Sequence, residues 1–128
     1  MKRTISLALI GLFAVILLIS CKPFKEYRQR VADVQIENID LQQIRNGDYS
    51  GEYDAVIVKA EVLVKVRDHR ITAIDLVRHD NGRGKAAEVL IDTVLARQSV
   101  VVDAISGATS SSMVILEAIE SALKKGME

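Results

Sequence analysis

The chain has one cysteine, one proline and no tryptophan in 128 residues. A single cysteine, Cys21, excludes an internal disulfide, so any folded domain must be held together by its core. With only two histidines, the sequence also lacks a Cys/His cluster at metal-ligand spacing, and no protein metal site is expected. Charge of one sign is missing as well, since 17 Lys and Arg balance 17 Asp and Glu. Without a block of basic residues there is no electrostatic footprint for nucleic acid, which is excluded as a partner. No order of Ser, His and Asp suggests nucleophilic catalysis, so no catalytic residue is expected. There are no internal repeats, and the length suits one domain plus a targeting segment.

The targeting segment is the first feature present. Lys2 and Arg3 precede a run from Ile5 to Ser20 in which every residue is apolar or small. A basic start followed by an apolar stretch is the layout of a secretory signal peptide. A membrane-spanning helix is the alternative, but it needs about 20 apolar residues, and this run stops at Ser20. Leu18-Ile19-Ser20-Cys21 resembles a bacterial lipobox, with a small residue before the cleavage point and a cysteine that receives lipid. Two or more acyl chains, at about 0.8 kcal/mol per buried methylene, anchor where one does not. The expected organisation is therefore a lipoprotein signal peptide over 1–20, lipidated Cys21 with a tether over 21–45, and a folded domain over 46–128. Cleavage removes two of the 17 basic residues and none of the 17 acidic ones, leaving a net charge of about −2.

Within the mature part, residues 22–30 are polar and charged and read as a tether or a loosely held short helix. Val34, Ile36, Ile39 and Leu41 hint at extended structure, and Asn46-Gly47-Asp48 is a turn signal. Val56, Val58, Ala60, Val62, Val64 and Val66 fall on alternate positions, the period of a strand with one buried face. Asp68-His69 makes a turn without the usual glycine, and residues 71–77 return as a second strand. The period then changes. Ala87, Leu90, Ile91, Val94 and Leu95 follow helical spacing, predicting an amphipathic helix over 84–97. Val100-Val101-Val102 reads as a short buried strand. A final helix carries the stripe Ile115, Leu116, Ile119, Ala122 and Leu123. Ser110 or Ser111 is placed to cap it, Lys124 and Lys125 suit its negative end, and Gly126 suits its stop. The predicted fold class is α+β: a mainly antiparallel sheet with two amphipathic helices packed on it, preceded by the lipoprotein signal peptide.

The loop Ser106-Gly107-Ala108-Thr109-Ser110-Ser111 sits before the last helix, where free amides and the positive dipole end attract phosphate. Gly107 permits close backbone approach and Ala108 adds little bulk. A serine-rich connection without a ligand remains the alternative from composition alone.

Asp103-Ala104-Ile105-Ser106-Gly107-Ala108-Thr109 resembles the signature of the FMN-binding domain family, an acid followed by Ser/Thr-Gly-Ala-Thr. Residues 46–53, Asn-Gly-Asp-Tyr-Ser-Gly-Glu-Tyr, are similar to the opening of these domains. His79-Asp80-Asn81-Gly82-Arg83-Gly84 is similar to the glycine-containing turn before their first helix. The family includes the C subunit of sodium-pumping NADH:quinone reductase, the G subunit of Rnf complexes and small extracellular flavoproteins. The chain is smaller than the respiratory-complex subunits. The resemblance implies FMN attached covalently through its phosphate to the Thr109 hydroxyl, by a magnesium-dependent FAD:protein FMN transferase. It implies cofactor contacts from Ser106, Gly107, Ala108, Gly82 and Gly84. Asp103 could help the transferase hold magnesium, or could simply cap the turn at Ser106. His79 could stabilise reduced flavin or be an exposed turn residue. Tyr49 and Tyr53 could stack on the ring or pack in the core, and His69 is a turn residue.

The expected function is an extracytoplasmic flavoprotein, lipid-anchored on a bacterial membrane, carrying electrons between redox proteins or a quinone. A flavin-dependent reductase of a soluble molecule and a non-redox binding module are the alternatives. The reading favours an electron carrier over an enzyme with its own substrate pocket.

Overall fold

In the computed structural model, residue 16 and residues 22–80 and 84–127 are described. The first described element is a helix, α1, over residues 22–33. Of the two readings of this segment, the short helix is the one adopted. The chain then runs without regular structure over 34–40 and makes one 3₁₀ turn at Leu41–Gln43, capped by the Asp40 carboxylate on the Gln42 N–H at 3.0 Å. Residues 34–45, placed in the tether by the sequence, lie against the domain: Val34 and Ile44 are buried, and Ile36, Ile39 and Leu41 pack on the core. The Glu37 N–H reaches a carboxylate oxygen of buried Glu120 at 2.9 Å, and Lys124 holds the other oxygen at 2.6 Å. A buried charge needs such partners.

The sheet has three antiparallel strands in the order β1-β2-β3: Gly47–Asp54, Lys59–Arg67 and Arg70–Asp80. β2 carries the predicted alternation only from Ala60, with Ala60, Val62, Val64 and Val66 all buried; the first two positions of the predicted run, Val56 and Val58, lie in the β1–β2 connection instead, where Val56 has φ +75°. Register runs from Gly47 opposite Val66 to Asp54 opposite Lys59, and two bulges interrupt the β2–β3 ladder, at Glu61/Val62 and Lys65/Val66. The β2–β3 turn is Asp68-His69, with φ of 50° and 60°. A two-residue hairpin of the type I′ kind demands positive φ at both positions, and Asp and His are among the side chains that tolerate it. Asn46 braces the turn by accepting the Asp68 N–H at 2.8 Å.

β1 was not legible as a strand, because Asn46-Gly47-Asp48 signals a turn. Its inward positions are Gly47, Tyr49, Gly51 and Tyr53, a burial pattern of period two with glycine where β2 has valine. At Gly51 the last helix crosses in backbone contact. A Cβ there would collide with the Ala118 carbonyl and lie 2.6 Å from the Ala122 nitrogen.

That helix, α3, spans Thr109–Lys125 and lies across β1 and β2. The shorter α2, Leu90–Arg97, packs against β3. The predicted helix over 84–97 is thus two pieces, a 3₁₀ segment at Lys85–Val89 and then α2. Gly84 offers no side chain to cap an α-helical start. Gln98 ends α2 in the left-handed region, φ 53°, and turns its amide onto β3. Its Oε1 accepts the Ile71 N–H at 2.8 Å and its Nε2 donates to the Ile71 carbonyl at 2.9 Å. Val100–Val102, predicted as a strand, is not one. Only Val100 is buried, Val101 is exposed, and the Val102 N–H bonds back to the Val100 carbonyl at 3.0 Å instead of to a neighbouring strand. Gly126 ends α3 with a right-handed φ of −77°, so its value is space: a Cβ would strike Ile44 and the Tyr49 ring.

The fold class is α+β, as predicted, with helices packed on an antiparallel sheet. The signal peptide over 1–20 and Cys21 lie outside the described residues, apart from Ile16. Among the described residues no helix is long and apolar enough to cross a membrane.

Candidate functional site

The segment 105–112 folds into a turn that hands the chain to α3. The Ala108 N–H bonds to the Ile105 carbonyl at 2.9 Å. Gly107 has φ +80°, the value a type II turn requires at its third residue and a residue with Cβ resists. Ser112, buried one turn into the helix, locks this geometry. Its hydroxyl donates to the Ala108 carbonyl at 2.8 Å and accepts the Ile105 N–H at 3.0 Å.

The predicted cap is corrected here. Ala108, not a serine, is the N-cap, and no side chain among the described residues caps α3. The first intrahelical bond is from Ser112 N–H to the Ala108 carbonyl at 2.9 Å. The amides of Thr109, Ser110 and Ser111 therefore have no partner in the helix. No acidic residue stands in this first turn, while Lys124 and Lys125 occupy the last. The positive end of the dipole, roughly +0.5 of a charge, is offset by no carboxylate in its own first turn.

These amides border a cleft of about 380 Å³. Gly107 and Ala108 form one side and Thr109, Ser110 and Ser111 the adjoining one. Gly84 closes it from the start of the 3₁₀ segment, Val58 from the β1–β2 turn, and Tyr27 from α1. The Thr109 hydroxyl is exposed and has no hydrogen-bond partner among the described residues. None of the described lining residues is Asp, Glu, His, Lys, Arg or Cys. The arrangement can bind and orient an anion beside an apolar wall, and the Tyr27 phenol is the one titratable side chain among its described lining residues.

Of the residues singled out by sequence, Gly84, Gly107, Ala108 and Thr109 come together in the cleft. Ser106 is exposed at the turn beside them, and Asp103 is exposed on the approach; neither lines the cleft. Asp103 makes no hydrogen bond to the Ser106 turn. Gly82 lies outside the described residues. His79 is not an exposed turn residue: it stands in β3 with its side chain 2% exposed and its Nδ1 3.0 Å from the Glu88 carboxylate. Tyr49 and Tyr53 take the core alternative, their hydroxyls donating to the Arg45 and Arg30 carbonyls at 2.8 and 3.1 Å. Burial holds the Tyr53 phenol above its ordinary pKa, with Glu117 adding to the effect. His69 is a turn residue, as read. Among the described residues no group of His, Cys, Asp or Glu could hold a metal ion.

Sequence reasoning missed Tyr27 and Val58 as lining residues. Tyr27 had a signal. Phe24, Tyr27, Val31 and Val34 stand at i, i+3, i+7 and i+10, a helical stripe interleaved with six charged or polar residues that made the segment read as a tether.

An uncapped helix start, a glycine turn and a mixed apolar and hydroxyl wall define a small α+β domain built to hold a phosphate-bearing cofactor. The family model described as FMN-binding domain matches residues 58–124, more than half of the chain, and the chain belongs to that family. No curated protein and no solved structure matches it. The protein is an FMN-binding flavoprotein, and the site fits the cofactor. Its volume lies within the roughly 300–1,000 Å³ of small-molecule sites. The α3 amides suit a phosphate, and Val58 and Tyr27 suit a flat aromatic ring.

Proposed function

We propose that this flavoprotein is an electron carrier anchored on the extracytoplasmic side of a bacterial membrane, with FMN esterified to Thr109. The observation that carries the reading is the Thr109 hydroxyl, exposed at the first position of an uncapped α3 and on the wall of the cleft. In maturation the Thr109 oxygen attacks the FMN phosphorus of FAD. A threonyl phosphoester forms, the bond to AMP breaks, and the hydroxyl proton passes to a base of the transferase. Magnesium supplied with FAD offsets the phosphate charge, and Asp103, exposed before the loop, assists it.

When bound, FMN supplies the capacity to accept electrons and release them. The chain's own residues hold its phosphate at the α3 amides and shield one region of the ring with Tyr27 and Val58. The described lining residues include no Asp, Glu, His, Lys, Arg or Cys, and this favours a carrier over a reductase that uses one of them as proton donor. Buried His79, paired with Glu88, ties the end of β3 to the 3₁₀ segment that follows cleft-lining Gly84. A redox protein or quinone supplies and takes the electrons. The anchor is Cys21, acylated after cleavage behind Ser20, and covalent attachment keeps the flavin from dilution outside the cytoplasm.

The test is the intact mass of the mature chain after exposure to FAD, magnesium and an FAD:protein FMN transferase. A gain of one FMN less one water is expected, lost in Thr109→Val with the melting temperature unchanged. Covalent flavin persisting in Thr109→Val would move the site to a neighbouring serine. Steady turnover of a soluble acceptor by the loaded protein would favour the reductase reading.

A further inference from the structure

We infer that Tyr27, on the helix next to the membrane anchor and outside the family-matched segment 58–124, is a flavin-covering residue that closes the cleft over the ring of FMN. The inference rests on FMN lying at the start of α3. Within residues 22–30, Tyr27 is the one side chain that is not exposed, and it lines the same cleft as Thr109 and Gly84. Its phenol has no hydrogen-bond partner among the described residues, unlike those of Tyr49 and Tyr53.

The helix that carries Tyr27 is held in place rather than loosely tethered. Val31 and Val34 continue its stripe into the core. Arg30 donates to the Asp54 carbonyl at 2.9 Å, while the Arg30 carbonyl accepts the Tyr53 hydroxyl at 3.1 Å. Glu26 fixes the guanidinium at 2.8 Å. Phe24 packs on Tyr27 with ring centroids 6.2 Å apart and planes tilted by 44°, within the range of favourable aromatic pairs. These contacts hold α1 against the domain, where Tyr27 lines a cleft that otherwise offers small residues and a single valine. A flat conjugated ring is the ligand chemistry that such a wall accepts. The segment beside the lipid is then part of the cofactor site.

The experiment uses the mature full chain loaded with FMN, its loading checked by intact mass. A phenol in contact with a flavin quenches its emission by electron transfer, and a phenyl ring does not. Tyr27→Phe, which keeps the ring volume, should raise flavin emission several-fold while quenching by iodide stays as low as in the wild type. Tyr27→Ala should raise emission and also open the flavin to iodide. Tyr49→Phe should change neither. Loaded Tyr27→Phe and Tyr27→Ala with wild-type emission and wild-type iodide quenching would overturn the assignment. A wild type that takes up no flavin at all would instead overturn the site reading beneath it, and the assignment with it.

Discussion

β1 and β2 are neighbours in one sheet under one helix, and they meet α3 by opposite means. β2 presents valines, Val62, Val64 and Val66, each fully buried. β1 presents Gly51, and the helix answers with Ala118 and Ala122, so that backbone touches backbone. The apolar area removed from water is large at β2, whereas at β1 closeness of approach replaces it. A hydrophobic interface can therefore be set as firmly by a missing side chain as by a large one.

The largest expected effect breaks that contrast directly. Gly51→Ala forces a methyl group into the Ala118 carbonyl and should cost about 3 kcal/mol, the upper part of the overpacking range. Val64→Ala removes two methyl groups and leaves a cavity, for about 2 kcal/mol. Urea unfolding midpoints of the two variants compare them, and the smaller residue change should do the greater damage. Equal or reversed losses would mean that α3 shifts to accommodate the methyl.

Next in size is Ser112→Ala. It strands the Ile105 N–H and should cost about 1–2 kcal/mol. Because Ser112 holds the loop in front of Thr109, flavin attachment followed by intact mass should slow as well. Ser110→Ala, by contrast, removes no hydrogen bond and should leave stability within about 0.5 kcal/mol of wild type.

The β1–β2 connection offers a smaller effect of opposite sign. Val56 has φ +75° at the centre of a turn closed by the Ile57 N–H on the Ala55 carbonyl at 2.9 Å. That conformation is rare and strained, most of all for a β-branched residue. Val56→Gly should relieve strain of about 1–3 kcal/mol against the entropy glycine adds to the unfolded chain. A net gain of about 1 kcal/mol is expected, read as a higher melting temperature.

The smallest effect concerns pH. Burial, with the nearby Glu120 carboxylate second, raises the Glu117 pKa above its ordinary 4.5. The folded state thus holds the Glu117 proton more tightly than the unfolded state does. Its stabilising contribution is complete below pH 4.5 and lost as pH rises through the folded value. Glu117→Gln should therefore gain about a few tenths of a kcal/mol at pH 7, the scale of partly exposed charges, and gain nothing at pH 4. A denaturant series at the two pH values checks the sign.

Legibility follows the same contrast between β1 and β2. Period two in β2 and period 3.6 in α3 are carried by valine, isoleucine and leucine, whose burial is a property of the residue and its spacing. The two hairpin strands, the two helical stripes and the loop ending at Thr109 could be read on that basis. β1 could not, because Gly47 and Gly51 are inward positions only when a helix backbone lies against them. Val100–Val102 misled for the converse reason. Apolar β-branched residues propose a strand, but a strand exists only where another lends its hydrogen bonds, and here the Val102 N–H turns back on its own chain.

The candidate site divides in the same way. Sequence alone determined that a hydroxyl, a glycine and free amides gather where phosphate would bind, since Ser106 to Ser111 are contiguous and precede a helical stripe. Tertiary structure alone decided that the amides stay uncapped, that Ser112 and not Ser110 or Ser111 holds the loop, and that Tyr27 reaches the cleft from 82 residues before Thr109. Contiguous residues share a local geometry that their order dictates. The wall opposite them depends on which distant surfaces the core brings together, and that is settled only when Val31, Val34 and Ile44 find their places in it.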